Sequence, residues 1–476
     1  MNPNSQRVRS RRIAAFWVIG IALLFFLPAL GTSVVQREQE LRVALTARSM
    51  ADGGSWLVPD YLGQMRLRKP PLMYWAVAAC YRLGHATDSA FLARLPSALA
   101  GVGLALTIFF AARGFMGQRR ACVAALCCVT SLIMLRQGRV AETDVLLTFW
   151  TALAAWSGYR ALFRSAGWMW IVAAGLASGL GFMTKGPAAF VLPLLAWLGF
   201  ALWNRPRINA SHYGARLLIG LFVWFAIALA IASPWYLYLW ARAGSLAQLR
   251  QELSATFGET SQHRGAWYYY VYTLLIAFLP WSLALPSALY AVWRRARAKR
   301  ALLFCLIWFI TSFFALSATS SKQIHYCTLL IPPASLLVGW VLGGLLWGRP
   351  EAAQLRRRSA WGLAIAAAVY VVFVSIAQPR AEPKQALRTA LESCLPEVHD
   401  AERVFLVGRH RATLEFHAGR PIADMDSVKE AWRQSRPGDL IVLNTKNSDL
   451  PATPSDAAVL AEVEHRGLRV AIWRRL

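Results

Sequence analysis

Long apolar runs separated by short polar turns fill the chain from Ile13 to Ile376, and a polar stretch follows. Runs such as Ile13 to Gly31, Leu217 to Trp240 and Trp267 to Trp293 are long enough for a helix crossing a hydrocarbon core of ~30 Å. Backbone groups in hydrocarbon need internal hydrogen bonds, and the run lengths and Leu/Ala content favour helices over the ~10-residue alternating strands of a membrane barrel. Length and apolarity predict crossings at Ile13 to Gly31, Phe91 to Ala112, Ala121 to Leu135, Val145 to Phe163, Gly167 to Met183 and Pro187 to Trp203. Five more are expected at Leu217 to Ala241, Trp267 to Val292, Ala301 to Ser317, Cys327 to Trp347 and Trp361 to Ile376. Pro70 to Leu83 is apolar but only about 14 residues long, and reads as an interfacial or re-entrant piece.

With that short piece not crossing, the clusters Arg7 to Arg12, Arg113 to Arg120, Arg160 with Arg164, Arg205 with Arg207, Arg294 to Arg300 and Arg356 to Arg358 all fall on one side, which the positive-inside rule makes cytoplasmic. The expected architecture is a polytopic α-helical membrane protein with about 11 transmembrane helices over residues 1–377, the amino terminus inside. Residues 32–84 then form an external loop with interfacial helices. The polar residues 378–476 read as a small C-terminal α/β domain on the periplasmic side, of ordinary domain size. Val404 to Val407, Leu440 to Leu443 and Leu468 to Ile472 look like buried strands, and Ser427 to Arg433 and Ala457 to Glu464 have helical spacing. Gly408-Arg409-His410 lacks the other glycines of a dinucleotide turn and reads as a plain loop.

Composition agrees with a membrane setting: of 476 residues, 57% are hydrophobic and only 16% charged, outside the usual range for a soluble domain. The net charge of +27 would suit nucleic acid, but the cations sit in short clusters between apolar spans rather than on one soluble face, so topology explains most of it and no nucleic-acid partner is expected. Six of the seven cysteines lie in or beside apolar spans and Cys394 stands alone in the tail, so neither a disulfide framework nor a cysteine metal site is implied.

The external side collects the polar residues that topology does not explain. Thr32 to Lys69 holds Glu38 and Glu40 with Arg37, Arg42, Arg48, Arg66, Arg68 and Lys69, although cationic external loops oppose the positive-inside rule. Smaller turns add Arg136, Arg139, Glu142 and Asp144; Thr184 and Lys185; Glu259, His263 and Arg264; and Lys322, His325 and Tyr326. A carboxylate among several cations suits transfer of a sugar from phosphate to a hydroxyl: the carboxylate accepts the acceptor's proton and the cations stabilise the departing phosphate. Any one such Lys or Arg is more often an interfacial anchor snorkelling toward headgroups. Lys69, Lys185 and Lys322 together, each in a Pro-, Gly- or aromatic-rich turn, favour function.

Several motifs resemble one family. The run Glu40-Leu41-Arg42-Val43-Ala44 through Arg48-Ser49-Met50, then Gly54 to Pro59 and Lys69-Pro70-Pro71-Leu72-Met73-Tyr74-Trp75, is similar to the first external loop of the ArnT-like, or protein mannosyltransferase-like, glycosyltransferases of the GT-C fold. Arg94-Leu95-Pro96-Ser97-Ala98, Glu142-Thr143-Asp144, Thr184-Lys185-Gly186-Pro187, Gln262-His263-Arg264 and Ser321 to Tyr326 continue the likeness. The resemblance implies a polyprenyl-phosphate sugar donor, an inverting displacement, and a lipid or glycan acceptor of the cell envelope such as lipid A. It also implies a multi-pass bacterial inner-membrane location among membrane lipids. An Asp-Glu pair carries the family's catalytic base; here the pair is Gln39-Glu40, so the base falls to Glu40, preferred for its spacing to Arg42, or to neighbouring Glu38, while Asp144 would position the acceptor and is an outside candidate for the base. By the same resemblance Arg42, Lys69, Lys185 and Lys322 would face the donor phosphate, with Arg66, His263, His325 and Tyr326 lining the cavity. No cofactor is firmly implied and no metal is assigned, because Arg68 stands where some relatives carry a carboxylate. A flippase of lipid-linked sugars and an inactive scaffold are the competing readings; the chain shows neither inverted repeats nor paired broken helices.

Overall fold

The computed structural model describes residues 3–164, 166–203, 210–242, 265–295, 299–347, 352–382, 384–446 and 449–476. Helix α1 (Pro3–Phe26) leads into the loop that carries α2 (Glu38–Ala51), a two-stranded ribbon of β1 (Asp60–Tyr61) and β2 (Gln64–Met65), and α3 (Leu72–Gly84). The bundle continues with α4 (Ala90–Met116), α5 (Gln118–Val129), α6 (Leu132–Gln137), α7 (Thr143–Phe163), α8 (Met169–Lys185), α9 (Ala188–Trp203) and α10 (Ala210–Arg242). It closes with α11 (Tyr269–Ala277), α12 (Leu285–Arg295), α13 (Arg300–Ala318), α14 (Ile331–Trp347) and α15 (Ala353–Val372). Among the described residues, five helical stretches are long and apolar enough to cross a bilayer: Ala90–Met116, Gly214–Ala241, Arg300–Ala318, Ile324–Trp347 and Ala353–Ala381. Arg12–Phe26, Met169–Lys185 and Ala188–Trp203 are shorter apolar helices. The protein is a membrane helical bundle.

Two expected crossings are broken. The run Trp267 to Val292 becomes α11 and the stretch Trp281–Arg295, bent by 119°. Pro280 lies at the break, where it has no N–H to continue the helical ladder. Ala121 to Leu135 splits into α5 and α6: the hydroxyls of Thr130 and Ser131 donate to the carbonyls of Leu126 and Cys128, at 2.7 and 2.9 Å, and compete with continuation. Close packing uses small residues. A side-chain carbon on Gly175 or Gly179 of α8 would come within 2.8 Å of Ile227 or Ile231 on α10, so this Gly-x-x-x-Gly spacing lets the two backbones approach.

The tail forms α16 (Gln385–Ser393), β3 (Val404–Val407), α17 (Arg411–Ala418), β4 (Ala423–Met425), α18 (Val428–Gln434), β5 (Leu440–Lys446), β6 (Ala457–His465) and β7 (Leu468–Arg475). The sheet order is β4-β3-β5-β7-β6, with β3 parallel to β4 and β5, and β7 antiparallel to β5 and β6. Alternate residues serve opposite cores: Val404, Leu406, Val442 and Ile472 pack with α16 and α17, while Phe405, Ile441, Leu443 and Trp473 pack with Ala431 of α18. The expected helix at Ala457 to Glu464 is a strand instead. Its apolar positions are close enough to both periods to read either way, and eight residue pairs with β7 decide in favour of extension.

The tail rests on the first loop. Arg48 of α2, 7% exposed, donates to the carbonyls of Glu415 and Phe416 at the end of α17, at 2.7 and 2.6 Å, and to that of Thr87 at 3.0 Å. Arg388 donates to the Thr32 carbonyl at 2.8 Å, and Glu382 accepts from the Val34 N–H at 3.0 Å.

Candidate functional site

The site forms where neighbouring antiparallel helices end on one face. Asp144 lies in the first turn of α7 and Lys185 in the last turn of α8, each where the helix dipole favours its charge. Lys185 Nζ stands 2.6 Å from Asp144 Oδ1. The turn after α13 brings in two more groups: His325 Nε2 lies 3.9 Å from the same carboxylate oxygen, and Lys185 Nζ sits 4.8 Å from the centre of the Tyr326 ring. Asp144 is 4% exposed, so its charge is balanced by this surround rather than by bulk water.

The first loop supplies the opposite wall. Pro70 and Pro71 stiffen the entry to α3 and hold Lys69 beside α2, where its Nζ donates to Gln39 Oε1 at 3.0 Å. Burial, reinforced by Lys185 and Arg66, pushes the Lys69 ammonium down to about 8, while Asp144 and Glu142 act in the other direction. Lys69, Lys185, Asp144 and His325 therefore belong to one electrostatic cluster, with Arg66 within its reach.

The remaining carboxylates of the region have different surroundings. Glu40 is 1% exposed and paired bidentately with Arg94: Arg94 Nε donates to Oε1 at 2.7 Å and Nη2 to Oε2 at 3.2 Å. The Ala141 N–H also donates to Oε1, at 3.0 Å. The ion-pair partner is thus Arg94, a residue 54 positions away, rather than Arg37 or Arg42 in the same loop. Arg94 further holds the carbonyls of Leu30 and Ser33, at 2.8 and 3.0 Å. Glu38, one turn before Arg42, meets its Nε at 2.8 Å and accepts from the Tyr61 hydroxyl at 3.4 Å, with its side chain 56% exposed. Since both lie on a helix, Glu38 and Glu40 point to different sides. Glu142 accepts from Gln137 at 3.2 Å and pairs with Arg37 at 2.9 Å; burial raises its carboxyl above the ordinary range.

Of the residues expected in the site, the structure brings together Lys69, Lys185, Asp144, His325 and Tyr326. Arg42 and Arg66 gather with Glu38 and Tyr61 at its edge, Arg66 lying 5.9 Å from the Tyr61 ring. Lys322 turns instead to the end of α13, donating to the carbonyls of Ser317 and Thr319 at 2.6 and 2.8 Å, as a cation at a helix C-terminus does. His263 lies outside the described residues. Gln39 and Arg94 carry roles that sequence alone did not assign, because each depends on a contact between distant segments. Among the described residues no three His, Cys, Asp or Glu side chains converge as a metal site.

Residues 68–238 match the family described as dolichyl-phosphate-mannose-protein mannosyltransferase. An undecaprenyl phosphate-alpha-4-amino-4-deoxy-L-arabinose arabinosyl transferase of Pseudomonas aeruginosa is 30% identical over 366 residues, covering 75% of this chain and 64% of the relative. A transferase of the same name from Edwardsiella ictaluri is 29% identical over 344 residues, covering 70% of this chain and 60% of the relative. The chain therefore spans just under two thirds of the length of these relatives. The backbone resembles the crystal structure of ArnT from Cupriavidus metallidurans bound to undecaprenyl phosphate, with a TM-score of 0.71 at 19% identity over 96% of this chain and 97% of that one. It also resembles the Archaeoglobus fulgidus oligosaccharyltransferase, with a TM-score of 0.53 at 15% identity over 86% of this chain and 62% of that one. With its sequence matching these transferases over three quarters of its length and its backbone matching over nearly all of it, the chain is an ArnT-like protein of the GT-C fold.

Proposed function

We propose that the protein transfers a sugar from an undecaprenyl or similar polyprenyl phosphate to a hydroxyl of a cell-envelope acceptor, lipid A or another glycan, on the periplasmic face of a bacterial inner membrane. The observation that carries this reading is the buried Asp144 carboxylate, set 2.6 Å from Lys185 and sharing its field with Lys69 and His325. In the displacement, the acceptor oxygen bonds to the anomeric carbon while the bond from that carbon to the phosphate oxygen breaks, its electron pair leaving with the phosphate. The hydroxyl proton passes to Asp144, and Lys69 and Lys185 neutralise the charge that develops on the phosphate. Lys185 serves both partners: as it turns to the donor phosphate, the Asp144 carboxylate is released to act as base. His325 and Tyr326 line the cavity, and Arg42 and Arg66 serve the phosphate from its edge. Glu40 is not the base in this scheme, since Arg94 and the Ala141 N–H occupy both its oxygens.

The eleven-crossing arrangement, with the amino terminus inside and residues 378–476 outside, belongs to the same proposal and puts the cluster on the external face. Mass spectrometry of envelope lipids and glycans from cells with and without the protein tests the reaction. A mass increment of one sugar on an envelope component, lost in Asp144→Asn while carrier binding persists, is expected. Carrier lipid that crosses vesicles with its sugar intact would replace the transferase with a flippase.

A further inference from the structure

A cavity of about 610 Å³ opens between the loop before α2, helix α6 and the stretch that follows α15, with Arg37, the partner of Glu142, in its wall. Its walls hold four guanidinium groups, from Arg37, Arg94, Arg136 and Arg139, against two carboxylates, Glu40 and Glu382. Arg94 and Glu40 neutralise one another, and Arg37 is committed to Glu142. That leaves Arg136 and Arg139, while Glu382 accepts from the Val34 N–H and lies in the field of Arg94. Arg139 donates to the Phe26 carbonyl at 2.9 Å and lies 6.0 Å from the Tyr370 ring. The Arg136 guanidinium has no hydrogen bond or ion pair among the described residues.

The other walls are apolar: Leu132, Leu135, Tyr370, Phe373 and Val374. The helical stretch Ala353–Ala381 is only 11% buried over its apolar window, and Ile365, Val369, Val372 and Phe373 stand exposed on it. The cavity is thus cationic within and bordered by a helix whose outer side is apolar and unpacked. Two guanidinium groups beside an apolar lateral opening match an amphiphile with an anionic head and hydrocarbon tails, because Arg pairs with phosphate oxygens while the tails stay in the bilayer.

We propose that this cavity seats the phosphate headgroup of an anionic phospholipid from the surrounding bilayer, held by Arg136 and Arg139, with its acyl chains along the exposed face of α15. The bound headgroup tethers α15 to α6 and backs Arg37, whose partner Glu142 lies two residues from Asp144.

The test uses the full chain in phosphatidylcholine nanodiscs with and without phosphatidylglycerol, followed by detergent extraction and mass spectrometry of the retained lipids. Phosphatidylglycerol retained in preference to phosphatidylcholine is expected, and Arg136→Glu should lower that preference about tenfold, the loss of roughly one charge-assisted contact. Arg113→Glu, at the far end of α4, should leave it unchanged. Because Arg139 also holds the Phe26 carbonyl, Arg139→Gln is read only by lipid preference in protein that elutes as a folded species. Equal retention of both lipids by the unaltered protein, or a preference indifferent to Arg136→Glu, overturns the proposal. Displacement of phosphatidylglycerol by undecaprenyl phosphate, one for one, also overturns it and makes the cavity part of the carrier site.

Discussion

Replacing Glu40 by Gln separates a structural carboxylate from a catalytic one. In the native site Oε1 accepts from both Arg94 Nε and the Ala141 N–H, and Oε2 accepts from Arg94 Nη2. Glutamine offers one acceptor oxygen and one donor amide, so one of these places sets N–H against N–H, and Arg94 keeps a buried charge whose remaining hydrogen-bond acceptors are all neutral. Breaking such a pair from one side costs about 3–5 kcal/mol, a large part of the ~5–15 kcal/mol that separates folded from unfolded states. The expected result is a clear drop in thermal midpoint and in the monodisperse fraction, with turnover per folded molecule falling by less than about tenfold. Removing a general base costs ~10² to 10⁴ in rate, and this is the expected loss for Asp144→Asn. Fluorescence-detected unfolding and turnover normalised to the monodisperse peak give both quantities from one preparation. An unchanged midpoint in Glu40→Gln with turnover reduced ~100-fold or more would refute the reasoning and return Glu40 to the role of base.

Lys69 holds phosphate only when protonated, so kcat/KM for the donor should decline as pH rises through about 8, and Gln39→Asp, by placing a carboxylate beside Lys69, should move that decline to higher pH; a flat profile from neutral pH to about 10 would remove the charge requirement. Lys69→Ala and Lys185→Ala should each lower turnover ~100-fold or more with normal expression, measured as sugar transferred from the carrier. Lys322→Ala, whose ammonium holds helix-end carbonyls, should lower the thermal midpoint more than it lowers turnover per folded molecule. Alkaline phosphatase joined after Leu476 should be active and a fusion at Arg297 inactive; the reverse pattern would overturn the eleven-crossing arrangement.

The helical bundle and the charged turns that meet around Asp144 were legible because both are local signals. Apolar length specifies helices, and Lys69, Asp144 and Lys185 sit in turns whose composition marks them. Three things were not local. The 119° bend after Ala277 falls inside a continuous apolar run, and only Pro280 hinted at it. Ala457–His465 has a pattern that fits both periods, and its pairing with β7 decides between them. The role of Glu40 depends on Arg94, which reaches it from α4 across 54 residues of chain. The close approach of Gly175 and Gly179 on α8 to Ile227 and Ile231 on α10 likewise joins segments about 50 residues apart.

Helix α2 is held at both ends by groups that belong to other parts of the molecule: Arg94 grips Glu40 near its start, and Arg48 near its end grips the last carbonyls of α17. Its first turn also carries Gln39, the residue on which Lys69 rests. Opening the contact at α17 therefore frees the far end of the same rigid rod that positions Lys69, and the two sites share one unit of local unfolding. In hydrogen exchange, the amides of α2 and α17 should open together with one free energy, and Arg48→Ala should lower both equally. Damage confined to the tail, tens of residues from any reacting group in sequence, would then be felt as a fault at the phosphate.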